Sequence, residues 1–200
     1  MASLTADQVR LIANQVVSNM RFDKSGSQNN PSVIYEDSSR PNASVGVFSS
    51  INSAVKAAQK AQVQLMELSL AQRERIILNI RSWMMDNAEI LARKAYEETG
   101  LGRFQDKIIK NKLVTEKTPG TEVLRPEAVS GDRGLTLMER APYGVIGSIT
   151  PCTNPTSTII CNTIGMLAAG NSVVFNVHPT AKNVSIYNIE LLNKAIIQAG

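Results

Sequence analysis

The sequence is short of the side chains that carry metal, disulfide and membrane chemistry. His178 is its only histidine, and no cysteine or carboxylate stands near it at ligand spacing, so we expect no metal site. The two cysteines come without a basic flank and apolar core at the N-terminus, which does not predict secretion and fits a reducing, cytosolic setting. No apolar run approaches the roughly 20 residues of a membrane span, so we expect no membrane contact.

The sequence also has no region in which charges of one sign are concentrated. The 21 basic residues are opposed by 17 acidic ones, and the two signs are interleaved, although the net charge is +4. Aromatic residues make up only 4% of the chain and do not lie beside a basic stripe. Because nucleic-acid binding needs clustered basic charge, we expect no nucleic-acid partner. A Walker lysine motif and the glycine triplet of the common dinucleotide fold are also missing.

What is present is a chain of 200 residues, 43% hydrophobic, which is enough to bury a core in one or two domains. Its pattern predicts four segments: an amphipathic helix in residues 1–22, a linker rich in Ser, Asn, Gly and Pro in residues 23–32, helices and short strands in residues 33–140, and a strand-helix-strand-helix unit in residues 141–200. Within the third segment we expect helices over residues 51–66, 69–84, 88–99 and 107–117, and a strand over residues 135–139.

The fourth segment carries the candidate chemistry. A strand, Val145 to Ile149, breaks at a polar elbow, Thr150 to Asn154, and Pro155 then opens a helix. Gly170 ends this helix, and Ser172 to Phe175 is a second buried strand. Because parallel strands collect ligands at their carboxyl ends, the two polar breaks that follow these strands predict one cleft.

These patterns define the expected fold class as α/β, with a helical N-terminal region leading into an incomplete Rossmann-like parallel sheet. A sheet of two parallel strands is too small to stand alone. The last helix is expected to open at Thr180 or Asn183.

Three separated stretches carry a family likeness: PYGVIGSITPCTNPTSTIICNTIGMLAAGNSVVFNVHPTAKN at residues 142–183, EETGLGRFQDKIIKN at residues 97–111, and TPGTE at residues 118–122. In this order they resemble the aldehyde dehydrogenase superfamily, specifically its coenzyme-A-acylating branch from bacterial microcompartments. The likeness extends over residues 45–200. It implies an aldehyde-dehydrogenase-like fold for the whole of that range.

The resemblance also implies an activity. Such enzymes convert a short-chain aldehyde, NAD and coenzyme A into an acyl-CoA and NADH, through a cysteine thiolate that attacks the aldehyde. That cysteine is expected beyond the equivalent of Gly200, so the chain resembles the N-terminal portion of the enzyme. By itself it is expected to bind nucleotide weakly and to be inactive, and at full length a homo-oligomer is expected.

Asn154 is the candidate catalytic residue, because the family uses an elbow asparagine to donate a hydrogen bond to the developing oxyanion. The usual pattern puts that asparagine two residues after the elbow proline, where this sequence has Thr153, and Asn154 follows one residue later. The alternative interpretation is that Asn154 caps the helix that begins at Pro155. The two roles are compatible.

The family holds its dinucleotide at these strand ends, so the resemblance implies cofactor contacts from both loops: Ile149, Thr150, Pro151, Phe175, Asn176, His178 and Pro179. The alternative is that the second loop only turns the chain. Most of the superfamily has a lysine followed by a proline where this sequence has Asn176 and Val177. Recognition of the ribose hydroxyls by lysine is therefore not expected, and NADP is not excluded as the cofactor in place of NAD.

Four other residues are given structural roles. Cys152 has no base beside it and is expected to be a packed or half-exposed elbow residue, while Cys161 is expected in the core. Glu97 and Glu98 are adjacent, and adjacent residues do not share a helix face. We expect one of them to face solvent and the other to cap a helix or pair with a basic side chain, Lys94 or Arg103.

Residues 4–21 have apolar side chains at helical spacing and are followed by the linker, so this helix either docks on its own domain or binds a partner. Enzymes of the resembled branch commonly carry such a helix as an encapsulation peptide, which implies a shell-protein partner and a location in a bacterial microcompartment in the cytoplasm. Two other functions stay open: a noncatalytic shell-binding module, and a non-acylating aldehyde dehydrogenase.

Overall fold

The computed structural model of the chain describes residues 46–200. It contains the following helices and strands: α1 (Ile51–Glu67), α2 (Leu70–Asp86), α3 (Ala88–Thr99), α4 (Phe104–Lys117), β1 (Glu127–Gly131), β2 (Gly134–Met138), β3 (Val145–Thr150), α5 (Pro155–Ala168), β4 (Ser172–Val177) and α6 (Lys182–Gln198). Short 3₁₀ turns lie at Thr121–Val123 and Pro179–Ala181. The predictions for the N-terminal helix, for the linker and for the third segment up to residue 45 lie outside the described residues.

Local chemistry sets the ends of the early helices. Ser69 and Gln72 form a reciprocal capping box at the start of α2, with Ser69 N donating to Gln72 Oε1 at 2.9 Å and Gln72 N donating to Ser69 Oγ at 3.3 Å. Gly100 ends α3 in the left-handed conformation, at φ 65°. Both features confirm the sequence prediction. Helix α4 begins three residues before the predicted Lys107, because Asp106 pairs with Arg103 in its first turn.

Strands β3 and β4 form the parallel pair, with Val145 opposite Ser172 and Thr150 opposite Val177. Helix α5 connects them and ends where Gly170 adopts φ 82°, as the sequence predicts. The next residue, Asn171, accepts hydrogen bonds through Oδ1 from the backbone N–H groups of residues 143 and 144, which ties the end of α5 to the start of β3. Strand β4 runs two residues further than predicted.

The core lies on one side of this sheet. It is built from buried side chains of α2, α3, α5 and α6: Ile76, Ile77, Ile80, Met84, Leu91, Ile159, Ile160, Ile164, Ala168, Leu191, Leu192 and Ala195. Phe175 and Val177 of β4 pack against it. On the other side of the sheet, α1 covers the start of the strands, and Ser172 Oγ donates to the Ala58 carbonyl at 2.8 Å. Among residues 46–200, no element covers the carboxyl half of that second face, where Ile149 is 84% exposed.

Strands β1 and β2 form a separate antiparallel hairpin, in which Glu127 pairs with Met138 and Gly131 with Gly134. In the described part of the chain, every residue of these two strands is exposed. The sequence predicts β2 from its alternation but gives no signal for β1, because Glu127–Gly131 has no apolar side to alternate with its polar residues. No helix within residues 46–200 combines the length and the apolar character needed to cross a membrane.

Candidate functional site

The elbow between β3 and α5 turns the chain within four residues. Thr150 ends the strand, Pro155 is the buried first residue of the helix, and Asn154 stands between strand and helix with φ −134° and ψ 53°. The Asn154 carbonyl accepts from the Thr158 N–H at 3.1 Å, but its side chain makes no capping hydrogen bond. The alternative that the Asn154 side chain caps the helix is therefore wrong, and the amide serves another partner.

That partner comes from α4, which lies against the elbow. Lys110 Nζ donates to Asn154 Oδ1 at 2.7 Å, and Lys107 Nζ donates to the Thr153 carbonyl at 3.1 Å. Asn111 Oδ1 accepts from Thr156 Oγ1, in the first turn of α5, at 2.8 Å. We call Lys107, Lys110 and Asn111 the α4 clamp. Their spacing of three and four residues puts all three on one face of the helix.

The α4 clamp is partly buried. Lys107 is 6% exposed and Asn111 is 1% exposed. Burial of the Lys107 ammonium lowers its pKa below the ordinary value of 10.5, and the nearby Lys110 lowers the pKa further, while Cys152 acts in the opposite direction. Asn111 Nδ2 donates to the Ala88 carbonyl at 3.1 Å, so both the oxygen and the nitrogen of this side-chain amide are hydrogen-bonded. Polar contacts from α4 thus help to fix the elbow.

The second loop follows β4 at the same sheet edge, because Thr150 and Val177 are the last paired residues of the two strands. His178 begins this loop, and its Nδ1 accepts from the Thr180 N–H at 3.3 Å, which caps the short 3₁₀ turn. The loop leads directly into α6. Its placement confirms that both polar breaks meet at one edge.

The open face of the sheet lies beside this edge. Ile149 is 84% exposed and pairs in register with the exposed Asn176. A Cβ added to Gly147 would meet no heavy atom within 4 Å, so the face has free space above it. An exposed isoleucine beside a polar asparagine, with room over them at the carboxyl end of parallel strands, fits one face of a nucleotide.

The predicted cofactor residues divide into two groups. Ile149 and Asn176 share the open face, and Pro151, His178 and Pro179 are exposed at the edge that it borders. The side chain of Thr150, 2% exposed, and that of Phe175 lie on the other face, towards α5 and the core. Side chains alternate along a strand, so these two residues face the open side only with their backbone. Their contacts with a cofactor stay predictions.

The cysteines differ from each other in their surroundings. Cys152 is half-buried and packs against a small apolar cluster, Ala95, Ala181 and Val184, as predicted for an elbow residue. The prediction that Cys161 lies in the core is wrong. Cys161 is only half-buried and lines an apolar cavity of about 410 Å³ between α5 and the segment that follows α4. The sequence pattern misled because α5 is apolar on nearly all sides, so its periodicity does not separate core from cavity wall.

The adjacent carboxylates take the predicted separate roles. Glu97 is exposed, while Glu98 accepts from the backbone N–H groups of Asn183 at 2.8 Å and Val184 at 2.7 Å. These donors belong to the first turn of α6, so Glu98 caps a helix that lies 85 residues further along the chain.

The sequence analysis missed the α4 clamp. A signal was available, since Lys107, Lys110 and Asn111 are polar at a helical spacing where an inward-facing helix normally has apolar residues. Among the described residues, no group of three His, Cys, Asp or Glu side chains is placed to hold a metal ion.

The parallel strand pair and its elbow are those of an incomplete Rossmann-like fold, and comparison with known proteins gives the family. The model of the aldehyde dehydrogenase family matches residues 42–200, and the chain belongs to this family. An acetaldehyde dehydrogenase (acetylating) from Bilophila wadsworthia is 54% identical over 154 residues, which are 77% of this chain and 31% of the relative.

Two solved structures are similar. A propionaldehyde dehydrogenase from the Clostridium phytofermentans fucose utilisation bacterial microcompartment has 57% identity and a TM-score of 0.75, covering 78% of this chain and 36% of that one. A propionaldehyde dehydrogenase from Rhodopseudomonas palustris, solved with CoA bound and an acylated cysteine, has 51% identity and a TM-score of 0.76, covering 79% and 36%. The chain thus spans about a third of the length of these relatives.

Proposed function

We propose that the protein, at the full length that its gene encodes, is a CoA-acylating aldehyde dehydrogenase. It oxidises a short-chain aldehyde with NAD as acceptor and transfers the acyl group to coenzyme A. The observation that carries this proposal is the 57% identity to a propionaldehyde dehydrogenase across 78% of the chain. The family match over residues 42–200 includes the elbow and the α4 clamp. The relatives that resemble it act on acetaldehyde and propionaldehyde by name.

The residues of this chain supply binding and electrostatic stabilisation. Ile149 and Asn176 would hold the dinucleotide on the open face, with Pro151, His178 and Pro179 at its edge. The bound nicotinamide dinucleotide supplies the hydride acceptor. Within residues 46–200, no strand residue on that face is acidic or basic, so the face gives no charge that favours NAD over NADP or the reverse. Measurement with both dinucleotides decides the preference.

Asn154 would act on the aldehyde oxygen. When a thiolate attacks an aldehyde, negative charge develops on that oxygen, and an amide N–H donor placed beforehand stabilises it. Oδ1 of Asn154 accepts a hydrogen bond from Lys110. The Nδ2 group of the same side chain is then available to donate to the aldehyde oxygen. Cys152 is not proposed as the thiolate, since it packs on an apolar cluster and the nearby Lys107 Nζ donates to the Thr153 carbonyl.

The reaction is tested with the full-length protein, an aldehyde, and NAD or NADP, with and without coenzyme A. We expect acyl-CoA, identified by mass, in an amount that matches the reduced dinucleotide. Free acid formed at the same rate without coenzyme A would instead support a non-acylating dehydrogenase. Failure to reduce either dinucleotide with any short aldehyde would contradict both enzyme proposals.

We also propose that residues 4–21 bind a microcompartment shell protein and that the protein works inside a microcompartment in the cytoplasm, as a homo-oligomer. The apolar spacing of residues 4–21 and the microcompartment origin of one structural relative support this proposal. Fusion of residues 1–22 to a fluorescent protein should direct it to shells in cells that make them. A fusion with Val9 and Ile12 changed to Asp is the control, and equal recruitment of the two fusions would contradict shell binding.

A further inference from the structure

We propose that Lys110 is a positioning residue for Asn154, which it holds with the amide Nδ2 directed away from α4 and available to the reacting aldehyde. The inference rests on the proposed role of Asn154. It begins with the contact between Lys110 Nζ and Asn154 Oδ1 at 2.7 Å, which is short enough for a charge-assisted hydrogen bond.

The chemistry of the lysine decides which way the amide faces. An ammonium group has three donors and no acceptor, so it can contact only the carbonyl oxygen of an asparagine side chain. An amide with no such partner can turn over, exchanging its oxygen and nitrogen at little cost. Asn154 makes no capping hydrogen bond that would choose between the two orientations. Lys110 therefore selects the orientation in which Nδ2 is free to donate.

The wrong orientation would oppose the reaction. With the amide turned over, Oδ1 would face the developing oxyanion and its lone pairs would repel the negative charge. The positive charge of Lys110 has a second effect, because it polarises the amide and strengthens Nδ2 as a donor. Both effects act through Asn154 and require no contact between Lys110 and the aldehyde.

Lys110 can be substituted without loss of the other contacts that hold the elbow. Lys107 Nζ donates to the Thr153 carbonyl, and Asn188 Nδ2 donates to the Thr156 carbonyl at 3.1 Å, so the backbone on both sides of Asn154 is fixed independently of Lys110. Asn111 adds a hydrogen bond from the Thr156 hydroxyl. Lys110 itself is exposed, whereas Lys107 and Asn111 are buried. A change at position 110 should thus release the Asn154 side chain without moving the elbow.

The test is a double-mutant cycle in the full-length protein, measured as kcat and KM for the aldehyde. Asn154→Ala should lower kcat about a hundredfold, and Lys110→Met should lower it about tenfold with KM changed less than about twofold. The double variant should be no slower than Asn154→Ala alone, because Lys110 then has nothing to orient. Lys110→Arg, which also only donates, should recover most of the activity.

Lys112→Met is the matched control, since Lys112 is exposed on the same helix, and it should leave kcat and thermal unfolding unchanged. Full activity of Lys110→Met would overturn the positioning role. So would a double variant whose kcat is reduced by the product of the two reductions seen in the single variants. In either case, a lowered kcat of Asn154→Ala would still support the proposed oxyanion role of Asn154. Full activity of Asn154→Ala would instead remove the oxyanion role and the positioning role together.

Discussion

At the scale of single residues, two polar side chains join parts of the chain that are far apart in sequence. Lys107 contacts Thr153, and Glu98 contacts the first turn of α6. Each places a charge next to backbone groups that a helix or a turn leaves without partners. The free-energy contributions differ, because the Lys107 ammonium is desolvated while Glu98 is only half-buried.

Because of Lys107, the free energy of unfolding should depend on pH in the alkaline range. Because burial lowers its folded-state pKa below 10.5, the unfolded chain holds a proton that the folded chain releases between the two values. The Lys107 contribution to the free energy of unfolding should therefore rise as pH rises through the lowered pKa towards 10.5, and be constant below it. Urea unfolding of the protein and of Lys107→Met across this range should give a difference that grows with pH. A difference that stays constant would contradict the burial of the charged amine.

Glu98 gives a second residue-scale prediction. Glu98→Ala removes the acceptor for two N–H groups at a helix start and should lower the free energy of unfolding by about 1 kcal/mol. Its neighbour provides the control, since Glu97→Ala alters an exposed carboxylate on the same helix and should change the value by less than about 0.5 kcal/mol. Equal effects in urea denaturation would show that Glu98 does not act as a cap.

At the scale of elements, one arginine links α2 to the end of α4. Arg81 of α2 donates to the carbonyl of Thr115 and also to those of Glu116, at 3.0 Å, and Thr118, at 2.6 Å. These carbonyls belong to the last turn of α4 and the residue after it, where a helix has no internal donors left. One guanidinium thus fixes the end of the helix whose other residues form the α4 clamp.

Arg81→Ala should lower the free energy of unfolding by about 2 kcal/mol, because it removes charged hydrogen bonds from partly buried carbonyls. Arg81→Lys should recover only part of this loss, since an ammonium cannot span three acceptors with the geometry of a guanidinium. Arg75→Ala, on the exposed side of the same helix, is the control. If Arg75→Ala and Arg81→Ala unfold at the same urea concentration, the capping role is wrong.

At the scale of the whole described chain, apolar burial is uneven. The helical core and one face of the two-stranded sheet are packed, while the hairpin β1–β2 has Leu135 at 71% and Leu137 at 61% exposure. A two-stranded hairpin has little stability of its own in water. Its exposed leucines are consistent with the proposed oligomer.

The two regions should respond differently to loss of apolar side chains. Ile80 is completely buried, and Ile80→Ala should lower the free energy of unfolding by about 3 kcal/mol through lost burial and the cavity left behind. Leu135→Ser should change the same quantity by less than about 0.5 kcal/mol at protein concentrations where the chain is monomeric. Denaturant titrations compare the two, and a large loss for Leu135→Ser would place the hairpin within the folding unit.

Local patterns were sufficient to predict most elements between residues 51 and 200. The Ser69 cap, the apolar spacing of Ile76, Ile80 and Met84, and the left-handed Gly100 each act within one or two turns, so sequence alone identifies them. The same holds for the elbow, because Pro155 and the end of an apolar strand are adjacent in the chain. Strand β1 was not predicted, since within residues 46–200 the strand that pairs with it is itself exposed and β1 has no apolar pattern of its own.

The sequence by itself determined the α/β order of elements, the two loops at one sheet edge and the family resemblance that the comparisons confirm. Only the tertiary structure decided what each polar side chain contacts. Asn154 could equally have capped its helix, and the structure instead pairs it with Lys110, 44 residues away. The physical reason is that hydrogen bonds between elements depend on how helices pack, and helix packing is set by the whole core. Residue spacing along one helix does not contain that information.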